Sequence, residues 1–440
     1  MSDHDLQILC PGDAGYDDAR RIHNGLIDKR PSIIARCRTT ADVVAAVTRA
    51  RKEGLEISVR GGGHNVAGKA VTDGGLMIDL SPMKDIVIDA AARTARAQPG
   101  LTWGDFNIAT AEHGLATTGG VVSTTGISGL TLGGGFGWLQ GKYGMSVDNL
   151  LAAEVVTADG QVLNASDSHN PDLFWALRGG GGNFGVATSF TYRLHPVTTV
   201  LAGPAVFPLA AAGAVIDTYR RLTKEAPDEL GVQCGLLTGP DASTKVAAIV
   251  VGHCGDLDQA EADIQPIREL GTPLLDGIGR MSYVDQNRRI DGSFPAGALN
   301  YWKSAFFTDL SDAAAQLLVD RFEQCPSPMS ACVLEPMGGA ASRVAPTATA
   351  YPHREPGHSL LLLSQWTDPA DTEQNIAWTR ETFEALQPHM ANRRYVNYLS
   401  ADDAGYTRDA YGTNYERLVE LKRRYDPDNV FHLNQNIDPS

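Results

Sequence analysis

Glycine is concentrated in three stretches of the N-terminal half of this chain, and this limits the folds that it can adopt. The stretches are Gly61–Gly63 within "SVRGGGHNVAG", Gly119–Gly137 and Gly179–Gly185. Runs this rich in glycine are unfavourable in helices and strands, because glycine loses the most backbone freedom on folding. They therefore predict loops. One such loop is usually a tight turn, but three together favour a cradle of backbone N–H groups for an anion such as the pyrophosphate of a dinucleotide.

The first glycine stretch does not match the common dinucleotide-binding fold. That fold places its glycines between a strand and a helix, whereas Gly63 is followed by His64, Asn65 and further turn-forming residues. A different architecture is therefore expected, and the position of His64 after the glycines needs an explanation of its own.

The sequence around these loops predicts a mixed α and β region. A helix is expected with Thr39 or Thr40 as its cap and Gly54 after its last turn, since apolar residues recur at helical spacing. A second helix is predicted in "TWGDFNIATAEHG". Strands are predicted in "EISVR" and "GLMIDL", and hairpins in "DIVIDAAARTARAQPG" and "LLAAEVVTADGQVLNAS".

The pattern changes from about Leu201 to Asn397. Strands such as "KVAAIVVGHC" and "SLLLLSQW" alternate there with helices such as "DPADTEQNIAWTRETFEAL", which indicates a second domain. A last helix, in "YERLVELKRRYDPDNVF", should stop at Asp426 because a proline follows.

The charge of the chain argues against nucleic acid as a partner. Fifty-two acidic residues against 37 basic ones give a formal net charge of −15, which repels other polyanions. The sequence shows neither a secretion-type leader nor an apolar run of about 18 residues, so a cytoplasmic protein without a membrane partner is expected. Its six cysteines lack paired spacing, which predicts reduced thiols and no metal site. The expected partner is a small molecule, bound by a monomer or homodimer.

Five motifs follow one another along the chain: "RGGGHNVAG", "GLMIDLSPM", "TGISGLTLGGGFGWLQGKYGMSVDNL", "LFWALRGGGGNFGV" and "AYGTNYERLVELKRRYDPDNVF". Together they resemble the berberine-bridge-enzyme-like FAD-linked oxidases of the vanillyl-alcohol oxidase / p-cresol methylhydroxylase fold. The resemblance runs from about Asn24 to Ile437. It implies an α+β fold of two domains, in which residues 1–200 and the returning segment 398–440 bind FAD. An inserted α/β domain, residues 201–397, would bind the substrate.

The resemblance also implies how FAD is held. In the family, the histidine of the first motif is covalently joined to the 8α-methyl carbon of the flavin, and His64 stands at that position. A neutral imidazole is nucleophilic near neutral pH, whereas a lysine would be protonated. Many relatives add a second bond through a cysteine where this chain has Val122, so a single covalent bond is predicted. The other FAD-binding residues implied are Arg60, Gly61, Gly62, Gly63, Asn65, Gly119, Thr125, Gly126, Gly129, Gly134, Gly135, Gly137, Val186, Tyr411 and Asn414.

The resemblance places a catalytic tyrosine at Tyr398, in "RYVNYLSADD". A phenol with its ordinary pKa of about 10 is a poor base at neutral pH, so a nearby cation would be needed. Lys303 and Arg354 are candidates for that cation. Glu335 and His353 lie on segments expected to line the same cleft, and they complete the predicted catalytic set.

These residues predict the two-electron oxidation of a small organic molecule, in which hydride passes to flavin N5 and dioxygen is reduced to hydrogen peroxide. Thr125 stands at the family's gate position beside the flavin, and its small side chain is compatible with oxygen access. A dehydrogenase with another acceptor, a non-catalytic flavin-binding protein and a nicotinamide-dependent reductase remain open. The sequence does not decide between alcohol, amine, hydroxylated aromatic and natural-product substrates.

Overall fold

The structure is a computed structural model that describes residues 6–440. Its strands form three sheets of four, five and eight strands and a short two-stranded pair. In chain order the strands are β1 (Gln7–Leu9), β2 (Ile33–Arg36), β3 (Ile57–Arg60), β4 (Leu76–Asp79), β5 (Ile86–Asp89), β6 (Thr94–Ala97), β7 (Leu115–Ala116), β8 (Leu150–Val156), β9 (Val162–Ser166), β10 (Val186–Arg193), β11 (His195–Pro196), β12 (Thr199–Pro208), β13 (Leu230–Thr238), β14 (Lys245–His253), β15 (Leu275–Asp276), β16 (Gly279–Ser282), β17 (Leu299–Phe307), β18 (Ala331–Met337) and β19 (Gly357–Trp366).

The helices alternate with these strands in most of the chain. They are α1 (Tyr16–Arg20), α2 (Thr40–Glu53), α3 (Trp103–Ala111), α4 (Ile127–Leu132), α5 (Gln140–Tyr143), α6 (Pro171–Leu177), α7 (Ala212–Glu225), α8 (Leu257–Asp263), α9 (Gln265–Arg268), α10 (Tyr283–Arg288), α11 (Asp312–Glu323), α12 (Gly339–Arg343), α13 (Thr372–Leu386), α14 (Thr407–Tyr411) and α15 (Tyr415–Tyr425). Among the helices of residues 6–440, none combines the length and apolar composition needed to cross a bilayer.

The four-stranded sheet has the order β1-β2-β4-β3, and helix α2 packs on it. The predicted start of α2 is confirmed, because the Thr39 hydroxyl accepts a hydrogen bond from the Asp42 N–H and Asp42 accepts one in return. Gly54 ends the helix with a left-handed φ of 66°. Val43 and Val47 are fully buried against the sheet, and each such burial contributes roughly 1.5–3 kcal/mol. This packing holds β3 in place, and the first glycine stretch follows directly after the end of β3.

The five-stranded sheet is antiparallel, with the order β5-β6-β10-β8-β9. Helix α3 covers it and places Trp103 and Phe106 edge-on against Tyr192 of β10. These aromatic contacts form the centre of the second apolar core. The glycine loops that follow α3 are therefore anchored on a rigid support.

The sequence predicted a continuous loop for the stretch Gly119–Gly137. This prediction is wrong, because helix α4 lies within the stretch. Glycine inside a helix costs about 1 kcal/mol relative to alanine, and α4 contains Gly129. Tertiary packing compensates, since Ile127 and Leu132 are buried in the second core. The helix was missed because its stability comes from packing rather than from local propensity.

The eight-stranded sheet comprises β12–β19 and has two different faces. Side chains such as Ile249 and Val251 point towards helices α7, α11 and α13 and form the largest apolar core. The alternate residues Val246, Ala248 and Val250 face a cavity. One face of the sheet is thus covered by helices, and the other is left free for a ligand.

The segment after α15 returns to the N-terminal sheets. The Lys422 ammonium is fully buried and donates to the Asp426 carboxylate, to the Asn183 carbonyl and to the Phe431 carbonyl. Because Asn183 belongs to the third glycine stretch, this ion pair fixes the returning segment against that loop. The helix ends at Asp426, as predicted.

Candidate functional site

A large cavity lies between the glycine loops of the N-terminal sheets and the free face of the eight-stranded sheet. Its volume is about 1410 Å³. A typical small-molecule site measures roughly 300–1000 Å³, so this cavity can hold a dinucleotide and a substrate together. Its wall is contributed by the loop after β3, by α4, by residues 431–435 and by strands β12–β14, β18 and β19.

His64 lies in this wall, at the end of the turn that follows β3. Gly63 has a φ of 70°, which favours glycine and makes the sharp turn possible. The ring nitrogens of His64 lie 3.1 Å from the Thr124 hydroxyl and 3.4 Å from the Thr125 hydroxyl. Burial, with a smaller contribution from His23, lowers the pKa of His64 to about 3. The imidazole is therefore neutral at physiological pH and keeps a lone pair for bond formation.

Two glycine loops meet at the edge of the cavity. A Cβ at Gly62 would overlap the backbone of Gly126, and a Cβ at Gly126 would lie 2.5 Å from the Gly62 nitrogen. By contrast, a Cβ at Gly129 or Gly182 would meet no atom of a neighbouring segment within 4 Å, although both residues line the cavity. The backbone at these two positions is open to a ligand that runs along it, as FAD would.

Polar side chains on the same wall suit the polar parts of FAD. The amide nitrogen of Gln435 and the amide oxygen of Asn434 are buried without a hydrogen-bond partner. The Lys69 ammonium donates to the Asn434 carbonyl and to Gln435 Oε1. Burial and the nearby Lys29 lower the pKa of Lys69 to about 8. Unpartnered amides and a cation are groups that a flavin dinucleotide can satisfy, so the residues present fit FAD.

The predicted FAD-binding residues separate into two groups. Those in the cavity wall are Gly61, Gly62, Gly63, His64, Asn65, Thr125, Gly126, Gly129, Val186 and Tyr411. Those behind the wall are Arg60, Gly119, Gly134, Gly135, Gly137 and Asn414.

The residues behind the wall make structural contacts instead. Arg60 forms an ion pair with the buried Asp79 at 2.9 Å. The Asn414 amide donates to the backbone carbonyls of Pro346 and Thr349. The glycines of this group allow close backbone packing, as at Gly135, whose N–H donates to a tyrosine hydroxyl. In this structure these residues support the wall and do not form its surface.

Tyr398 and Glu335 meet in the part of the cavity wall that the eight-stranded sheet contributes. The Tyr398 hydroxyl donates to Glu335 Oε2 at 2.9 Å, and the Gln233 amide donates to Glu335 Oε1 at 3.2 Å. Burial raises the pKa of Glu335 to about 7, although the hydrogen bond from Tyr398 opposes part of this rise. Burial and the adjacent Glu335 raise the pKa of Tyr398 well above its ordinary value. The carboxylate, rather than the phenol, is thus the group that can exchange a proton near neutral pH.

The structure corrects the prediction that a cation activates Tyr398. The Lys303 ammonium pairs with Asp402, at 2.9 Å, and with Asp403. The Arg354 guanidinium forms a buried bidentate pair with Asp148, with both distances 2.8 Å. Both cations are held by carboxylates on other segments, and neither residue lines the cavity.

His353 also lies outside the cavity wall. It packs on Phe306 and Tyr351, and burial lowers its pKa to about 4. Of the four residues predicted to be catalytic, Tyr398 and Glu335 come together in the site, whereas Lys303 and His353 do not.

Several residues of the site carried no usable signal in the sequence. His23 stacks on His64 with ring centroids 4.0 Å apart, and Gln233 orients Glu335 from a neighbouring strand. Lys69 and Gln435 approach each other from distant parts of the chain. Each of these contacts depends on tertiary structure, so no local pattern could identify it.

Comparisons with known proteins agree with this geometry. Residues 31–166 match the model of an FAD binding domain, and residues 394–438 match the model described as berberine and berberine like. The chain is 35% identical to (R)-6-hydroxynicotine oxidase of Paenarthrobacter nicotinovorans over 98% of its length and 96% of the relative's. It is 31% identical to an FAD-linked oxidoreductase of Dictyostelium discoideum, over 93% of this chain and 89% of the relative.

Solved structures show the same fold. The crystal structure of 6-hydroxy-D-nicotine oxidase from Arthrobacter nicotinovorans superposes with a TM-score of 0.91 at 34% identity, covering 99% of this chain and 98% of the other. Berberine bridge enzyme from Eschscholzia californica superposes with a TM-score of 0.88 at 24% identity, covering 99% and 97%. The predicted two-domain FAD-linked oxidase fold is confirmed. The chain belongs to the berberine-bridge-enzyme-like family of FAD-linked oxidoreductases.

Proposed function

We propose that this protein is an FAD-dependent oxidase that carries its flavin on His64 and oxidises a small organic alcohol or amine with dioxygen. One observation supports the proposal above all. The neutral imidazole of His64 and the Tyr398–Glu335 pair lie in the wall of the same cavity, on the cofactor side and the substrate side respectively. A flavin attached to His64 would share the cavity with the Glu335 carboxylate, which can accept a proton.

The chemistry of His64 favours covalent attachment. Its pKa of about 3 keeps the ring unprotonated at any physiological pH, and an unprotonated imidazole is a competent nucleophile. The threonine hydroxyls at its two nitrogens can exchange the proton that the ring must release when it forms a bond.

The proposal includes a single covalent bond. Val122 lies in the cavity wall at the position where many relatives have a second, cysteine attachment. Among the cysteines of residues 6–440, Cys234 alone lines the cavity, and burial raises the pKa of its thiol to about 12. A protonated thiol is a poor nucleophile. Mass spectrometry of a digest should therefore find flavin on the His64 peptide and on no cysteine peptide.

When bound, FAD supplies the redox chemistry by accepting two electrons from the substrate and passing them to dioxygen. The Glu335 carboxylate takes the proton of the substrate O–H or N–H. Tyr398 positions the carboxylate through the hydrogen bond to Oε2, and Gln233 does so through the hydrogen bond to Oε1. Glu335 is only 4% exposed, so bulk solvent does not reach most of its side chain.

The free face of the large sheet favours a substrate with an apolar body. Around Glu335, the wall is formed by apolar side chains such as Val333, Leu361, Leu363 and Trp302. An apolar surface of this kind binds hydrocarbon or aromatic groups by the hydrophobic effect. The name of the relative (R)-6-hydroxynicotine oxidase agrees with a substrate that joins an aromatic body to an amine.

Anaerobic bleaching of the flavin absorption band tests the function directly. The holoenzyme is mixed with a panel of amines and alcohols that carry aromatic or aliphatic bodies, and oxygen is then readmitted. Bleaching by a panel member, followed by stoichiometric hydrogen peroxide on reoxidation, is the expected result. Bleaching without reoxidation by oxygen would instead identify a dehydrogenase. The absence of bleaching with every member would contradict the proposed substrate class, and a matched panel of sugars provides the control.

A further inference from the structure

A second histidine lies flat against the ring of His64. The ring centroids of His23 and His64 are 4.0 Å apart, and the ring planes differ by 19°. His23 is buried, with 9% of its surface exposed, and its Nε2 has no hydrogen-bond partner. Neither the predicted FAD-binding residues nor the proposed proton transfer uses this residue.

The position of His23 is fixed by its backbone on both sides. Its N–H donates to the Gly63 carbonyl at 3.0 Å, and its carbonyl accepts from the Gly297 N–H at 2.9 Å. The next residue, Asn24, donates from its side chain to the carbonyls of Val66 and Asn300. The segment is thus held between the glycine turn and the substrate-binding part of the chain, so the fold itself places the His23 ring.

The stack on His64 does not depend on which ring nitrogen bonds to the flavin. The threonine hydroxyls at 3.1 and 3.4 Å approach the two ring nitrogens of His64. A nitrogen that bonds to the flavin uses its lone pair, and it can no longer accept a hydrogen bond from a threonine. His23 instead contacts the face of the ring, which takes no part in the reaction.

We propose that His23 is a positioning residue for covalent attachment of FAD, holding the His64 imidazole in the orientation from which it bonds to the flavin. This inference rests on the proposed attachment at His64. The bond forms between a His64 ring nitrogen and the 8α-methyl carbon. The methyl group and the imidazole each release one proton, while two electrons pass to the flavin and then to dioxygen, giving hydrogen peroxide.

The stacked arrangement of the two rings distinguishes a positioning role for His23 from a role in proton transfer. In nearly parallel rings the N–H bonds lie in the ring planes, so a nitrogen of His23 does not point at a nitrogen of His64. His23 therefore acts through its flat face, and a phenyl ring should replace it.

The test measures attachment rather than turnover. Full-length wild type, His23→Phe, His23→Leu and His23→Ala are produced without flavin and incubated with FAD in air, and the acid-precipitable flavin is followed with time. His23→Phe should attach FAD within about threefold of the wild-type rate. His23→Leu and His23→Ala should be slower by roughly 10- to 100-fold, the usual effect of a misoriented reactive group.

Thermal unfolding of the flavin-free proteins provides the control for folding. If His23→Ala does not fold, the comparison of His23→Leu with His23→Phe decides, since both side chains are apolar and only phenylalanine presents a flat ring. Wild-type rates in both His23→Leu and His23→Ala would overturn the inference. Equal loss in His23→Phe and His23→Leu would also overturn it and point to proton transfer. Wild type that never retains flavin in acid would instead contradict the proposed function itself.

Discussion

Replacing Glu335 by glutamine tests the proposed proton acceptor. The substitution keeps the shape of the side chain and one acceptor oxygen, so it can accept from Tyr398 or from Gln233 but not from both, and it removes the titratable group. General-base contributions are typically about 100- to 10,000-fold, so flavin reduction at saturating substrate should slow by roughly that factor. FAD should remain bound, because Glu335 lies on the eight-stranded sheet and not in the glycine loops.

The pH dependence provides the sharper measurement. Burial raises the Glu335 pKa to about 7, so the active carboxylate forms as the pH rises through 7. Roughly one hundredth of the side chain is ionised at about pH 5 and about nine-tenths at about pH 8. In wild type, the anaerobic stopped-flow rate of flavin reduction should therefore rise nearly a hundredfold between these values. Glu335→Gln should lose this rise.

The same pKa must affect stability, with the opposite sign. An acid whose pKa is raised by folding stabilises the folded state below its unfolded pKa and loses that contribution as the pH rises through 7. Wild type should thus lose up to about 3 kcal/mol between about pH 4 and pH 8, and Glu335→Gln should not. If the variant keeps its rate within threefold and shows the same pH profile as wild type, Glu335 is not the base.

Four other substitutions follow from the site. Tyr398→Phe removes the hydrogen bond that lowers the Glu335 pKa, so the pH profile of flavin reduction should shift to higher pH, and an unchanged profile would contradict the contact. His64→Ala should bind FAD but release all of it in acid, whereas colour in the precipitated variant would rule out His64 as the attachment site. Gly129→Ala should raise the unfolding temperature slightly, because alanine is favoured over glycine inside helix α4 and its Cβ meets no neighbouring segment, yet it should weaken FAD binding in a fluorescence titration. Gly62→Ala should instead lower the unfolding temperature, since its Cβ overlaps the backbone of Gly126. Equal effects of the two glycine variants on unfolding and on FAD binding would contradict the assignment of Gly129 to the FAD-binding surface and of Gly62 to loop packing.

The sequence predicted those parts of the structure that depend on neighbouring residues. The cap at Thr39 and the left-handed glycine at Gly54 lie within a few residues of the helix that they bound. The short strand and the three glycines directly before His64 single out this histidine, and the motif resemblance supplies its expected role. The motif resemblance added the two-domain FAD-linked oxidase fold and the position of Tyr398 in the cavity wall.

The contacts that sequence could not provide join residues far apart in the chain. Tyr398 and Glu335 are 63 residues apart, and their meeting depends on how β18 pairs with β13 and β19. Lys303 was expected beside Tyr398, but Asp402 and Asp403, about 100 residues away, hold its charge. A buried cation goes to the nearest carboxylate in three dimensions, and that distance is set by tertiary packing.

The return of the chain after α15 affects when the cofactor can be bound during synthesis. Phe431, Leu433, Asn434 and Gln435 form part of the cavity wall, and a ribosome makes them after the whole eight-stranded sheet. His64 and its glycine turn leave the ribosome much earlier, but they face a wall that is still incomplete. The complete FAD-binding wall therefore exists only in a chain that has been translated beyond residue 435.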